Sequence, residues 1–177
     1  MEQSAGPGVV RYVGQTITVR EDPVIVQERL ASREVVVRVP AVAIIAEQDP
    51  DHILVERQFR WPAQQFLWEL PAGKMDPGED PLTAAQRELR EETGYIAQEW
   101  EKIWTFYPSP GYSSEKIWLF RAQHLQFVGQ QLDLGEELTV HVWSRQDILQ
   151  HLNQKADDLN AIALSGWLWW LSRSEKS

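Results

Sequence analysis

The chain has 177 residues, a formal net charge of −9 and no cysteine. That length suits one domain with a substantial core, and the acidic balance argues against nucleic acid or an anionic membrane as partner, because both would repel it. No long apolar run and no signal-like N-terminus are present, so the cytoplasm is the expected compartment.

Strand-forming sequence fills the first third of the chain. Runs rich in Val and Ile predict strands over residues 9–19, 24–27 and 34–39. Two further apolar runs, 42–45 and 52–56, flank the turn-forming residues 48–51 and predict a hairpin.

A helix is predicted over residues 81–93. Asp80 suits the N-cap and Pro81 the first helical position. Gly94 provides the stop, because glycine readily takes the left-handed conformation that ends a helix.

Three strands and two helices are predicted downstream. The strands cover residues 103–106, 116–122 and 138–143. Ser144 is the expected cap of a helix through Asn153, and the last helix is expected from Asp157 or Asp158 to about Ser172. Three of the nine tryptophans fall at 167, 169 and 170, a clustering typical of a core or a subunit interface rather than of base stacking.

Three acids lie on one stripe of the first helix. Glu88, Glu91 and Glu92 follow the spacing i, i+3 and i+4, which places them on one face. Their mutual repulsion and the unfavourable helix dipole would be relieved by a hard divalent cation, and Arg87 could pair with Glu91 or reach back to Glu79. The alternative for the acids, taken alone, is a solvated charged face.

The spacing of these residues and of the preceding loop resembles the signature of the Nudix hydrolases. The matching residues are Gly73, Glu79, Arg87, Glu88, Leu89, Glu91, Glu92 and Gly94. Tyr95 departs from the pattern, since the family usually has an aliphatic residue there. The resemblance implies an α/β (α+β) fold, a Nudix-type α-β-α sandwich with a mixed sheet.

The same resemblance implies a Mg²⁺-dependent enzyme, with Mn²⁺ as the alternative ion. By that likeness Glu88 and Glu92 are the expected metal ligands, with Glu91 close behind, and the carbonyl of Ala72 completes the set. Glu91 and Arg87 are also counted with the catalytic residues.

Three segments are similar to the ADP-ribose pyrophosphatase branch of the family: residues 56–60, 68–73 and 107–115. They imply hydrolysis of the diphosphate bond of ADP-ribose to AMP and ribose 5-phosphate. The alternatives are another nucleoside diphosphate sugar, such as GDP-mannose or ADP-glucose, or a nucleotide-binding sensor without turnover.

Candidate substrate-binding residues lie in these same segments. Arg57 and Arg60 could make bidentate contacts with phosphate or ribose, or could simply be strand-edge charges. The resemblance adds Glu69, Ser109, Gly111 and Glu115, the last of which could orient the distal ribose or a metal-bound water.

A general base must also reach the attacking water. In this branch it comes from an acidic loop, here residues 133–137, where Glu136 is chosen ahead of Glu137. The branch further implies an N-terminal antiparallel β subdomain over residues 1–38, exchanged between subunits of a homodimer, and a catalytic domain over residues 39–177. The alternative is that these strands cap their own sheet.

Overall fold

The structure is a computed structural model that describes residues 1–132, 135, 137–154 and 157–173. The chain divides into two compact units. The first unit comprises Met1–Pro40 and Phe106–Ile117, and the second comprises Ala41–Thr105 and Trp118–Ser177.

The first unit contains a four-stranded sheet. Its strands are β1 (Gln3–Ser4), β2 (Val9–Val13), β3 (Thr18–Val26) and β4 (Arg29–Val37). β3 pairs antiparallel with each of the other three. Because a two-residue turn at Gln27 and Glu28, with φ of 50° and 63°, matches the twist of a hairpin, it joins β3 directly to β4.

All three strand predictions in this unit have wrong bounds. The strand predicted over 34–39 begins five residues earlier, at Arg29, and ends at Val37. The single strand over residues 9–19 is split by a turn, in which the Gly14 N–H donates to the Ile17 carbonyl at 2.9 Å, so β2 folds back on β3. The strand over 24–27 begins six residues earlier, at Thr18, and excludes Gln27. Strand propensity failed here because β4 pairs with every residue of β3, and this pairing overrides the low strand propensity of the residues between Arg20 and Pro23.

The second unit contains a seven-stranded sheet in the order β11-β6-β5-β10-β9, with β7 paired to β6 and β8 to β5. The strands are β5 (Ala41–Asp49), β6 (His52–Arg60), β7 (Gln65–Glu69), β8 (Ala72–Lys74), β9 (Tyr95–Phe106), β10 (Ile117–Phe127) and β11 (Leu138–Ser144). The predicted hairpin is confirmed as the antiparallel pair β5 and β6. β7 and β8 were not predicted from the sequence, since both are short and β8 contains Gly73.

Three α-helices accompany this sheet among the described residues: α1 (Pro81–Glu88), α2 (Arg145–Asn153) and α3 (Ala161–Leu171). α1 begins as predicted, with Asp80 as N-cap, but it ends at Glu88. A π-helical turn, Leu89–Thr93, forms the rest of the predicted helix and ends at Gly94. α2 begins at the predicted Ser144 cap and ends at Asn153. None of the described helices is both long and apolar enough to cross a membrane.

The predicted start of the last helix at Asp157 or Asp158 is wrong. The Asp158 carboxylate lies 2.8 Å from the His151 ring, while the Asn160 side chain accepts the Ala163 N–H at 2.7 Å and caps α3 instead. A capping residue must place its side-chain oxygen over the first turn, and Asn160 does so.

Helices cover both faces of β5. Successive residues of a strand point to opposite faces, so its buried side chains contact a helix on each side. Val42 and Ile44 pack with Ala84 and Ala85 of α1. On the other face Ile45 approaches Gly166 of α3. The predicted α-β-α sandwich is therefore confirmed. Two of the clustered tryptophans, at positions 167 and 170, are fully buried, as expected of a core.

A buried carboxylate links α3 to this sheet. Glu47 of β5 accepts hydrogen bonds from Arg121 at 2.9 and 2.7 Å, from Gln123 at 2.8 Å and from the Trp170 indole at 2.9 Å. Burial of a charge is tolerated when it is paired and hydrogen-bonded in this way.

Replacing Gly166 by Ala tests the close contact of α3 with the sheet. A Cβ there would lie 2.4 Å from Leu70 Cδ1 and 3.3 Å from Ile45 Cγ1. Overpacking costs about 1–3 kcal/mol, against about 1 kcal/mol that Ala gains over Gly in a helix. We expect Gly166→Ala to lower the free energy of unfolding by up to about 2 kcal/mol in urea titrations.

Leu168→Ala on the same helix is the control, because that side chain is exposed. Its effect should stay within about 0.5 kcal/mol. A Gly166→Ala protein more stable than the parent would contradict the tight contact.

Candidate active site

The acidic face of α1 and the π turn lies against β8. The Glu92 carboxylate accepts the Ala72 N–H at 2.8 Å. A Cβ added at Gly73 would lie only 1.9 Å from Glu88 Cδ, so the Glu88 carboxylate occupies the space that a side chain would fill. The structure thus brings Glu88 and Glu92 together on the adjacent backbone of Ala72 and Gly73, and both acids are buried.

Arg87 holds this face together. Its Nη1 donates to Glu88 at 2.8 Å and to Glu91 at 2.9 Å, while Nε and Nη2 each donate to Glu79 at 3.0 Å. Both contacts considered from the sequence, to Glu91 and to Glu79, are therefore present. Nη2 also reaches the Lys74 carbonyl at 2.9 Å, which ties the loop before α1 to the helix.

The charges around Arg87 shift its ionisation and that of its partner. Hydrogen bonding to Arg87 holds the pKa of the Glu79 carboxyl below its ordinary value. Hydrogen bonding to Glu79, with further bonds to Glu88 and Glu91, raises the pKa of Arg87. The guanidinium therefore keeps its charge, and it offsets the repulsion between neighbouring carboxylates.

The oxygen atoms of this site suit a hard divalent cation. Among the described residues, no three Asp, Glu or His side chains form a ready metal cage, and Arg87 holds Glu88 and Glu91. Mg²⁺ is commonly bound by one or two carboxylates while waters and substrate phosphates complete its shell. Glu88 and Glu92 beside the Ala72 backbone fit that pattern, with Glu91 next to them.

Arg60 and Glu69 form an ion pair that sequence reasoning did not predict. The Arg60 Nε donates to Glu69 at 2.8 Å and Nη2 makes a second bond at 2.5 Å, and Glu69 is buried. Hydrogen bonding to Glu69 raises the pKa of Arg60. Nε and one N–H of Nη2 are therefore engaged with Glu69, and a phosphate contact from Arg60 would have to use its other N–H groups.

Arg57 stands over two aromatic rings. Its guanidinium carbon lies 5.2 Å from the Phe66 ring centroid and 5.3 Å from that of Trp68, within cation–π range. Arg57 is paired in register with Thr139 of β11 on one side and Trp68 of β7 on the other. The alternative of a strand-edge charge is therefore wrong for Arg57, which is exposed on the face of the sheet instead.

A buried acid escaped the sequence analysis. Glu56 of β6 is 3% exposed and lies in register with Glu69. Its charge contributes, after that of Glu69 and Glu92, to the raised pKa of Arg60. The burial of Glu56 could have been predicted from the sequence, because alternation along the strand places it on the same face as the apolar, buried Leu54.

The remaining predicted substrate residues lie in the first unit. The carbonyl of Ser109 accepts the Ser113 N–H at 3.0 Å, closing the turn that contains Gly111. Glu115 pairs with Arg38 at 2.9 Å. These contacts account for the local structure, and a role in substrate binding stays a prediction.

The acidic loop is described only in part. Glu136, the preferred general base, lies outside the described residues, as do Asp133 and Leu134. Glu137 is described and exposed, immediately before β11.

Comparison with known proteins identifies the family. The NUDIX domain family model matches residues 37–164. An ADP-ribose pyrophosphatase of Bacillus subtilis is 39% identical over 122 residues, which cover 69% of this chain and 66% of that protein. A methanol dehydrogenase activator of Bacillus methanolicus is 34% identical over 147 residues, which cover 81% of this chain and 80% of that protein.

The fold has a close counterpart among solved structures. A crystal structure of an ADP compounds hydrolase aligns with a TM-score of 0.84 at 23% identity, covering 99% of this chain and 97% of that one. At that identity the likeness concerns the fold. Together with the family model, which spans most of the chain, these matches confirm the resemblance drawn from the sequence: the chain belongs to the Nudix hydrolase family.

Proposed function

We propose that this protein hydrolyses the diphosphate bond of ADP-ribose to AMP and ribose 5-phosphate with the help of Mg²⁺. The observation that carries the proposal is the meeting of the Glu88 and Glu92 carboxylates on the Ala72–Gly73 backbone. The substrate is supported by the 39% identity to the ADP-ribose pyrophosphatase of Bacillus subtilis.

The chemistry asks for neutralised phosphates and an activated water. When bound, Mg²⁺ supplies charge stabilisation on the phosphate oxygens and increases the acidity of water. Glu88, Glu92 and the Ala72 carbonyl would hold it, with Glu91 as a further ligand. These positions follow the family pattern and are supported by the Glu92 carboxylate at the Ala72 N–H and the Glu88 carboxylate against Gly73.

Arg87 has a positioning role in this proposal. Its bonds to Glu79, Glu88 and Glu91 fix the side chains of the acidic face before any ligand arrives. Charge compensation of this kind lowers the cost of bringing carboxylates together and so prepares the face for a cation.

The substrate contacts rest on the family likeness and on charge. Arg57 presents an exposed guanidinium that suits a phosphate or a ribose hydroxyl. The likeness to the family also makes five other residues candidates for substrate binding: Arg60, Glu69, Ser109, Gly111 and Glu115. A carboxylate of the 133–137 loop, Glu136 ahead of Glu137, would accept the proton of the attacking water.

A homodimer and a cytoplasmic location are part of the same proposal. The dimer, with residues 1–38 exchanged between subunits, is supported by the exposure of every residue of β2, among them Val9, Val10 and Tyr12. Exposed apolar strands of this kind commonly pair with a second chain.

A substrate panel tests the activity. The purified protein with Mg²⁺ should convert ADP-ribose to AMP and ribose 5-phosphate faster than it cleaves GDP-mannose or ADP-glucose, with products separated by chromatography. EDTA should abolish turnover and added Mg²⁺ should restore it. Faster cleavage of another sugar would correct the substrate, and tight calorimetric binding without any product would replace the enzyme by a sensor.

Glu92→Gln should lower kcat/KM by about 100-fold or more, because a metal ligand contributes several kcal/mol to charge stabilisation in the transition state. The amide keeps the shape of the side chain and can still accept the Ala72 N–H. Circular dichroism and the midpoint of thermal unfolding should therefore stay near those of the parent.

Glu99→Gln is the matched control for charge. Glu99 is an exposed acid of β9 with a His124 contact at 3.4 Å. Its replacement makes the same change in net charge and should leave kcat/KM unaltered. Equal activity of the Glu92→Gln protein and the parent would remove Glu92 from the metal site.

Gly73→Ala should lower activity by about 100-fold, since a displacement of about 1 Å in a catalytic group can cost that much. The added Cβ would meet the Glu88 carboxylate at about 2 Å and must push it aside. Activity measured against Mg²⁺ concentration should show a higher requirement for the ion. An unchanged Mg²⁺ dependence would show that the position of Glu88 does not govern binding of the cation.

A further inference from the structure

The two acids that meet on β8 are set by a π-helical turn. In a regular α-helix four residues advance by about 400°, so Glu92 would lie about 40° beyond Glu88. A π turn contains more residues than an α turn, and the π-helical stretch Leu89–Thr93 therefore brings Glu92 back over Glu88. Their carboxylates reach adjacent residues, Ala72 and Gly73.

A buried hydroxyl fastens this turn. Thr93 is 3% exposed, and its Oγ1 donates to the Leu89 carbonyl one turn earlier. The same oxygen accepts the Tyr95 N–H at 3.2 Å, which links the π turn to the first residue of β9. Gly94, with φ of 77°, lets the chain turn there and donates its own N–H to the Arg90 carbonyl at 2.9 Å.

The segment after β10 supplies further donors to the same helix end. The Gln130 side-chain amide donates to the Glu92 carbonyl, and the Gln131 backbone N–H donates to the Glu91 carbonyl at 3.0 Å. The carbonyls of a last helical turn have no partners within the helix and need donors from elsewhere. Thr93 and Gln130 thus use side chains to bind carbonyls that belong to the π turn.

We propose that Thr93 and Gln130, which we name the carbonyl clamp, are positioning residues for cation binding. By holding the π turn they keep the Glu88 and Glu92 carboxylates side by side on the Ala72–Gly73 backbone. The inference rests on the proposed function, in which these acids bind Mg²⁺. The clamp itself acts through the backbone.

The acceptors of the clamp's hydrogen bonds favour a positioning role over a purely stabilising one. The Leu89 and Glu92 carbonyls belong to the residues that connect Glu88 to Glu92. A relaxation of this turn toward α-helical geometry would rotate Glu92 relative to Glu88 by tens of degrees. Removing the clamp's hydrogen bonds should therefore lower the affinity for the cation first.

Two isosteric substitutions test the clamp. Thr93→Val removes the hydroxyl and keeps the branched shape, and Gln130→Met removes the amide donor and keeps the length. Thr93→Ser retains the hydroxyl, and Gln131→Ala removes a side chain whose residue contributes only a backbone N–H to the helix end. These two are the matched controls.

The first measurement is a Mn²⁺ titration of the substrate-free protein followed by electron paramagnetic resonance. Removal of a group that orients metal ligands commonly costs 10–100-fold in affinity. We expect Thr93→Val and Gln130→Met each to weaken Mn²⁺ binding by about 10-fold or more, and both controls to bind like the parent. The second measurement is kcat against Mg²⁺ concentration, which should shift to higher Mg²⁺ in the same two variants.

The outcomes separate this inference from the proposed function. A parent that binds no Mn²⁺ and turns over no nucleoside diphosphate sugar overturns the proposed function, and the clamp with it. A parent that binds and reacts, with clamp variants of unchanged Mn²⁺ affinity, overturns the clamp alone. Variants that lose thermal stability in EDTA but keep Mn²⁺ affinity assign the two residues a structural role and also overturn the inference.

Discussion

The charge of Arg87 is the interaction on which the candidate site depends. Carboxylates near the C-terminal end of a helix oppose its dipole and repel one another. A single guanidinium offsets this by donating to Glu79, Glu88 and Glu91 at once. The acidic face is therefore assembled by the protein itself, and a cation would enter a prepared set of oxygen atoms rather than gather dispersed side chains.

The buried strand β5 positions both the helix that carries the acids and the backbone of β8 on which they lie. Gly73 of β8 is paired in register with Val42 of β5, and α1 packs on the same strand through Ala84 and Ala85. Because protein interiors are close-packed, elements that share a strand move little relative to each other. The distance between the helix carboxylates and the Ala72–Gly73 backbone is thus fixed by the core.

Local signals explain what could be predicted from the sequence. Asp80, Pro81 and Gly94 marked the ends of the first helix, since caps act within a few residues. The π turn left no such signal, because one of its carbonyls is bound by the Gln130 side chain, which is distant in the sequence. The Arg60–Glu69 pair likewise needs the register of β6 and β7, which no local pattern specifies. The parts of the site that were missed are those made by distant pairings.

The hydrogen bonds that the acidic face already accepts also affect how a diphosphate would bind there. Arg87 occupies one oxygen of Glu88 and one of Glu91, and the Ala72 N–H occupies one oxygen of Glu92. Glu88, Glu92 and Ala72 supply fewer ligands than Mg²⁺ needs, so a bound ion would take the rest from water and phosphate. Substrate and cation would then complete each other's binding, and the ion would be held most firmly when a diphosphate is present.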